Sequence, residues 1–164
     1  MTSNRETATL AGGCFWGVEE LFRTLPGVID TTVGYTGGTV ANATYNVVKT
    51  GRSGHAESIQ IVFDPAGITF EEILNHFFRL HDPTSANRQG NDLGTQYRSA
   101  IFYGNESQKA IAEKVKERVE ESGKWKSKVV TEIVPATTFY AAEDYHQDYL
   151  KKTPNGYTCH YLRD

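Results

Sequence analysis

A chain of 164 residues with 23% charged and 12% aromatic side chains is typical of one globular domain with a sizeable core. Its formal net charge of −3 argues against a nucleic-acid-binding surface, and no apolar run approaches the roughly 20 residues that span a bilayer. Residues 1–13 lack the apolar core of a secretion signal, so we expect a cytoplasmic protein.

Hydrophobic periodicity and turn residues predict strands that alternate with helices. The predicted strands cover residues 7–11, 28–35, 55–63, 98–103 and 129–134. The predicted helices begin at Cys14, Thr69 and Asn105, and a short last helix covers 143–151. Long polar loops occupy 36–54 and 82–97, and a tail that we expect to be mobile occupies 153–164.

The order of these elements, β-α-β-β-α-β followed by α-β-α, predicts the fold class. Its first six members match the split βαβ, ferredoxin-like arrangement. We therefore expect an α+β protein, a ferredoxin-like two-layer α/β sandwich with a mixed, mainly antiparallel sheet. Residues 1–164 should form one domain.

Cys14 stands in the segment AGGCFWG, where a Gly-Gly turn passes a strand into a helix. The first turn of a helix presents unpaired N–H groups and a partial positive charge, which lower the pKa of a thiol. The glycines leave the sulfur approachable. This pattern favours a nucleophile, although free cysteine is also among the most buried residue types.

Phe15 and Trp16 lie about 100° apart on such a helix, so both cannot face the core. Either they cap the core, or Trp16 forms an aromatic wall beside the thiol. An aromatic wall would attract an apolar or partly cationic group.

Glu57 begins a strand whose alternation places it on one face with Ile59, Ile61 and Phe63. A carboxyl at the edge of an apolar face is desolvated, which raises its pKa and suits a general acid near neutral pH. The alternative is a solvated carboxylate at the start of the strand.

Four further residues are candidates on weaker grounds. Tyr35 shares the apolar face of its strand with Ile29 and Val33, so its hydroxyl needs a partner or a ligand. Asp92 and Tyr97 lie in QGNDLGTQYRS, where a turn-forming role for Asp92 is the simpler alternative. Cys159 lies in the tail, from which a thiol could reach a distant partner.

An ordered set of motifs resembles the peptide-methionine (S)-S-oxide reductases, the A-type methionine sulfoxide reductases. The motifs are GGCFWG, VGYTGG, GHAE, HDPT, QGNDLGTQYRS, AEDYHQDYL and NGYTC. Together they extend from about Thr9 to Cys159, nearly the whole chain. The resemblance implies reduction of the S epimer of methionine sulfoxide, free or in proteins, to methionine.

The resemblance also implies a role for each candidate residue. Cys14 would attack the sulfoxide sulfur, and Glu57 would protonate the oxygen. The remaining implied substrate contacts are Phe15 and Trp16 to the methyl group, Tyr35 and Tyr97 to the oxygen, and Asp92 to a site water or polar network.

The implied recycling chemistry forms a sulfenic acid on Cys14, which Cys159 resolves to a disulfide that thioredoxin reduces. With no third cysteine, the chain resembles the members with one recycling cysteine. The resemblance implies no metal and no organic cofactor, and nothing in the sequence demands more than a monomer. His146 matches a family position, and we expect a structural histidine with satisfied hydrogen bonds.

Two other readings of the same residues are open to test. A cysteine acyl-transfer enzyme would need His55 or His146 as a base paired to Cys14. A redox sensor would use Cys14 and Cys159 only as a switch.

Overall fold

The computed structural model describes residues 5–163; residues 1–4 and 164 of the predicted domain lie outside the described residues. The strands are β1 (Glu6–Gly12), β2 (Val28–Thr36), β3 (Ala56–Phe63), β4 (Arg88–Gln89), β5 (Asp92–Leu93), β6 (Ser99–Tyr103), β7 (Glu132–Pro135) and β8 (Tyr140–Ala141). The helices are α1 (Phe15–Phe22), α2 (Tyr45–Val48), α3 (Phe70–Leu80), α4 (Glu106–Glu121) and α5 (Tyr149–Lys152). Single 3-10 turns lie at Thr95–Tyr97 and Asp144–His146. Among these described elements, no helix is both long and apolar enough to cross a membrane.

Six of the strands form one sheet in the order β7-β6-β1-β3-β2-β8. Neighbouring strands are antiparallel except β6 and β7, which are parallel. The four central strands, β6-β1-β3-β2, have the order of the split βαβ, ferredoxin-like arrangement. The predicted α+β class and mainly antiparallel sheet are confirmed.

The main core lies between this sheet and three helices. Leu10 of β1 and Ile59 of β3 are fully buried in the same cluster as Phe22 of α1, Leu74 of α3 and Val115 of α4. Side chains that alternate along the strands thus meet the apolar stripes of the helices on one face of the sheet.

The helix starts follow the signals in the sequence. Thr69 and Glu72 form the predicted capping box of α3, in which each side chain accepts from the other's backbone N–H. The side chain of Asn105 accepts from the Gln108 N–H at 2.8 Å and caps α4.

Both polar loops contain short elements that the sequence pattern did not predict. The loop at 36–54 contains α2, and the loop at 82–97 contains a hairpin of β4 with β5 and one 3-10 turn. Each of these elements is two to four residues long. Hydrophobic periodicity cannot be read over so few positions.

The C-terminal third differs more from the prediction. The helix predicted at 143–151 is interrupted by Asp148, whose φ of 52° is left-handed and cannot continue an α-helix. Strand β7 begins at Glu132, because the preceding N–H of Val130 instead donates to the carbonyl of Pro83 at 2.8 Å. The two-residue strand β8 was also missed.

Ile29 was predicted on the apolar face of β2 and is 44% exposed. The pairing of β2 with β3 shifts register between Val28 and Asp30, so the alternation in this strand holds only beyond that irregularity. Val33 and Tyr35 lie after it and are fully buried, as predicted.

Gln147 fastens the segment after β8 to the edge of β2. Its Oε1 accepts from the Val33 N–H at 2.9 Å, and its Nε2 donates to the Val33 carbonyl at 2.9 Å. The same Nε2 donates to the Ala142 carbonyl at 3.1 Å. A side-chain amide here makes the hydrogen bonds that a further strand residue would make, and it holds this segment beside α1.

We expect Gln147→Ala to lower the free energy of unfolding by about 1–3 kcal/mol, because the backbone N–H of the buried Val33 loses its partner. Chemical denaturation of the purified protein measures the change. Lys151→Ala, an exposed change in α5, is the control and should stay within about 0.5 kcal/mol of the unsubstituted protein. Equal stability of the two variants would show that water replaces the amide without cost.

Candidate active site

A cavity of about 230 Å³ opens at the N-terminus of α1. Residues from five parts of the chain line it: Cys14, Phe15, Trp16, Tyr45, Glu57, Asp92, Tyr97 and Tyr157. Six of the eight predicted site residues are among them. Tyr35 and Cys159 are not part of this lining.

Cys14 occupies the N-cap position of α1, as the Gly-Gly turn indicated. Gly13 makes the turn with a φ of 101°, a conformation that favours glycine. Cys14 is only 8% exposed, and it is one of the residues that line the cavity. The thiol is therefore shielded from bulk water but accessible to a molecule in the cavity.

The predicted lowering of the Cys14 pKa is wrong. Burial and the nearby negative charge of Glu57 together raise the pKa of this thiol far above its ordinary value. The backbone N–H of Trp16 acts in the expected direction and lowers it, but its effect is smaller. Desolvation outweighs the helix terminus, so the resting thiol is protonated at neutral pH.

Glu57 lies where the alternation of β3 placed it, 3% exposed and on the same face as Ile59 and Ile61. Its Oε1 accepts from the backbone N–H of Phe15 at 3.2 Å. The pKa of Glu57 is raised to about 8, because burial, together with the charge of Asp92, outweighs the lowering by the Phe15 N–H. The carboxyl is therefore mostly protonated at pH 7. With Oε1 accepting, its proton is available for donation from the other oxygen.

Phe15 and Trp16 both line the cavity, although they face different surroundings. Phe15 is 1% exposed and belongs to the core cluster. Trp16 is partly buried, and its indole stacks on Tyr149 with ring centroids 3.8 Å apart and planes at 12°. The two aromatic rings thus form an apolar wall next to Cys14, and Tyr149 packs against the Trp16 ring.

His146 fixes the orientation of this wall. Its Nδ1 accepts from the Trp16 indole N–H at 2.9 Å, and its ring lies 5.2 Å from that of Phe15. Its Nε2 is buried and has no hydrogen-bond partner among residues 5–163. We expected a structural histidine with satisfied hydrogen bonds, but only Nδ1 of His146 has a hydrogen-bond partner. Burial lowers the His146 pKa, which keeps Nδ1 free to accept.

Tyr35 is not placed to hydrogen-bond a ligand in the cavity. It is fully buried, and its hydroxyl donates to Glu143 Oε1 at 2.8 Å. The other carboxylate oxygen of Glu143 accepts from the backbone N–H of Tyr45 at 3.1 Å. Tyr45, at the start of α2, lines the cavity instead. The Glu143 carboxylate therefore connects Tyr35, which was predicted to contact the substrate, with Tyr45, which was not predicted as a site residue.

Tyr45 and Tyr97 face the reactive groups from opposite loops. Burial, and to a smaller extent the charges of Glu57 and Cys14, raise the pKa of both phenols. Both therefore remain neutral O–H donors at physiological pH. The signal that could have pointed to Tyr45 is its position in a long Gly-rich loop, since such loops are often functional.

Asp92 lies in β5 and connects the cavity to the tail. Its Oδ2 is 3.8 Å from the sulfur of Cys159, and the nearby Tyr157 side chain lowers its pKa. Burial raises the pKa of Asp92. Tyr157, which was not predicted as a site residue, brings the tail to the edge of the cavity.

The tail is docked on the domain in this structure. His160 contacts the Gly12 carbonyl, and the Arg163 N–H donates to the Arg79 carbonyl at 2.8 Å. Both Cys14 and Cys159 are free thiols. The mobility of the tail stays a prediction.

The described part of the chain contains no group of three or more His, Cys, Asp or Glu side chains arranged to hold a metal ion.

Comparison with known proteins agrees with the site. A family model described as peptide methionine sulfoxide reductase matches residues 6–164. The peptide methionine sulfoxide reductase MsrA of Pseudomonas fluorescens is 58% identical over 163 residues, which cover 99% of this chain and 76% of that protein.

Solved structures of Mxr1 from Saccharomyces cerevisiae are also similar to this fold. The reduced form has a TM-score of 0.93 at 40% identity and covers 100% of this chain and 95% of that one. Mxr1 in complex with Trx2 has a TM-score of 0.68 at 28% identity and covers 100% of this chain and 94% of that one.

We expect Glu57 to titrate well above the ordinary glutamic acid value of 4.5, near pH 8. Infrared difference spectra between Glu57→Gln and the unsubstituted protein isolate its carboxyl band from those of other buried acids. The protonated band should persist at pH 7 and disappear as the pH rises through about 8. A band that disappears near pH 4.5 would show that Glu57 is ionised at rest.

Proposed function

This chain belongs to the peptide methionine sulfoxide reductase family, and we propose that it reduces the S epimer of methionine sulfoxide, free or within proteins. The observation that carries the proposal is a protonated buried acid, Glu57, in one cavity with a free cysteine, Cys14. Such a pair supplies both partners that a sulfoxide needs, a proton donor for its oxygen and a nucleophile for its sulfur.

In the proposed first step, Glu57 activates the substrate. A sulfoxide sulfur is a weak electrophile until its oxygen is protonated or strongly hydrogen-bonded. Glu57, with a pKa of about 8, can donate a proton at neutral pH, as an ordinary glutamate could not. Tyr45 and Tyr97 line the same cavity and are suited to donate further hydrogen bonds to the oxygen. This assignment replaces Tyr35 with Tyr45.

The attack of Cys14 balances without an outside acid or base. The sulfur of Cys14 bonds to the oxidised sulfur. The substrate S–O bond and this new S–S bond then break as the oxygen bonds to the Cys14 sulfur, which gives methionine and a Cys14 sulfenic acid. Glu57 gives its proton to the oxygen, and the proton lost by the Cys14 thiol restores Glu57. Because a charge on Glu57 raises the Cys14 pKa, ionisation of one group disfavours ionisation of the other.

Phe15 and Trp16 account for the proposed choice of epimer. Sulfoxide sulfur is a stereocentre with an oxygen, a methyl group, a side-chain carbon and a lone pair. If Glu57 takes the oxygen and the aromatic wall takes the methyl group, attack by Cys14 fixes the chirality. Only one epimer then directs its main chain out of the cavity, where a free amino acid or a peptide could be accommodated.

In the proposed recycling step, Cys159 condenses with the Cys14 sulfenic acid to a disulfide and releases water. It is the only other cysteine in the sequence. The structure of Mxr1 with Trx2 supports thioredoxin as the reductant of this disulfide. The proposed cycle takes its electrons from thioredoxin and uses no metal or organic cofactor. We further propose a monomer that acts in the cytoplasm.

The geometry does not favour acyl transfer. A base for Cys14 would have to be His55 or His146. His146 Nδ1 accepts from Trp16, and the two nitrogens of His55 contact the Gly38 N–H at 3.1 Å and the Val40 carbonyl at 2.7 Å.

We expect Cys14→Ser to form no methionine, because the attacking sulfur is gone. Cys159→Ser should form about one methionine per protein molecule and then stall, because its sulfenic acid cannot be resolved internally. Methionine is measured in single and multiple turnover with thioredoxin. Multiple turnover by Cys159→Ser with thioredoxin would contradict the recycling role of Cys159.

We expect reduction of racemic free methionine sulfoxide to stop when the S epimer is consumed, because one arrangement of oxygen and methyl fits the cavity. Chiral chromatography of the residual sulfoxide measures this. Trp16→Ala should weaken the selectivity together with the rate. Consumption of both epimers by the unsubstituted protein would remove the proposed methyl site.

A further inference from the structure

His160 lies in a slot that two glycines of the AGGCFWG segment leave open. Its Nε2 is 3.1 Å from the position that a Cβ on Gly13 would take, and its ring would collide with a Cβ on Gly17. Only 8% of His160 is exposed. The imidazole thus packs against the backbone on both sides of Cys14, the residue that becomes oxidised in the proposed cycle.

One hydrogen bond fixes the tautomer of this ring. Nε2 is 2.7 Å from the carbonyl oxygen of Gly12, which can only accept, so Nε2 carries the proton. In a neutral imidazole Nδ1 is then unprotonated and can act as a base. Burial and the positive charge of Arg163 lower the His160 pKa, which keeps the ring neutral at pH 7.

The free nitrogen faces the sulfur of the recycling cysteine. Nδ1 of His160 is 3.9 Å from Sγ of Cys159, within the range of a hydrogen bond to sulfur. Burial and the charge of Asp92 raise the pKa of the Cys159 thiol. Cys159 is therefore a thiol at neutral pH, and thiols attack sulfur far more slowly than thiolates do.

We propose that His160 is the general base that activates Cys159 for attack on the oxidised Cys14, an inference that rests on the proposed function. His160 Nδ1 takes the proton of the Cys159 thiol as its sulfur bonds to the Cys14 sulfur. The S–O bond of the sulfenic acid breaks, and the departing hydroxide takes the proton back as water. Cys159 is oxidised, Cys14 is reduced, and the products are one disulfide and one water molecule.

Asp92 is the competing base, since its Oδ2 is 3.8 Å from the same sulfur. Its negative charge disfavours a thiolate on Cys159, and its carboxylate is also engaged by Tyr157. His160 becomes a cation when it takes the proton, and a cation beside the sulfur stabilises the thiolate. The other titratable groups facing His160 are Arg163 and His81, and burial holds His81 neutral with a pKa of about 3.

His160→Gln separates this role from simple anchoring of the tail. The glutamine amide can still donate to the Gly12 carbonyl, but it offers no base to Cys159. In a single turnover without reductant, methionine formation and the loss of the Cys14 thiol should stay unchanged, while the loss of the Cys159 thiol slows about 100-fold. The rate of thiol loss should also rise steadily with pH in the variant, and it should level off above the His160 pKa in the unsubstituted protein.

His76→Gln is the matched control, because His76 Nε2 also contacts a backbone carbonyl, that of Leu21 at 2.7 Å, near the end of α1 opposite to Cys14. It should leave both steps unchanged. Thiol loss at the unsubstituted rate in His160→Gln, with a slow rate in His160→Ala, would overturn the proposal and leave His160 as an anchor only.

Alkylation of Cys159 by iodoacetamide in a Cys14→Ser background tests the base without any sulfoxide. Adding His160→Gln to this background should slow alkylation about 100-fold at pH 7. Slower alkylation in this pair of variants, with no methionine formed by the unsubstituted protein, would retain the base and remove the proposed function. An unchanged alkylation rate would overturn the base, whatever the methionine assay shows.

Discussion

The burial of the Glu57 carboxyl against the N-terminus of α1 is the contact on which the rest of the site depends. The Phe15 N–H holds one carboxyl oxygen at 3.2 Å, and desolvation keeps the group protonated near neutral pH. The same burial and the same neighbour raise the pKa of Cys14. The N-terminus of α1 could by itself have favoured a Cys14 thiolate. Here Cys14 and Glu57 lie together at this terminus, and both have raised pKa values. The resting site therefore stores protons, which suits a substrate whose oxygen must be protonated before its sulfur is attacked.

The sheet brings this pair together. In antiparallel pairing the end of one strand lies beside the start of its neighbour, and β1 pairs with β3 from Glu6↔Phe63 to Leu10↔Ile59. The turn after β1 carries Cys14, so it meets Glu57 near the start of β3. The ferredoxin-like order, with β1 and β3 adjacent at the centre, is therefore a requirement of the site. Buried strands on both sides also exclude the water that would ionise the carboxyl.

Local patterns in the sequence predicted those parts of the site that lie on regular elements. Period two placed Glu57 correctly, and helical spacing placed Cys14 at the start of α1. The same alternation placed Tyr35 on the buried face, but it could not show that Glu143, far along the chain, takes its hydroxyl. Tyr45 and Tyr157 lie in irregular segments, whose positions depend on turns and on distant contacts. Likewise, no local signal shows that His160 packs on Gly13 and Gly17.

In the proposed cycle, the docked tail makes substrate binding and recycling depend on each other. Tyr157 lines the cavity, and Cys159 lies against Asp92, another lining residue. In the proposed cycle, the bond from Cys159 to Cys14 removes the nucleophile and draws this wall of the cavity toward the sulfur. A second sulfoxide then finds neither a thiol nor an unchanged cavity until the disulfide is reduced. Oxidised protein should therefore bind substrate weakly, which leaves the disulfide accessible to its reductant without competition from substrate.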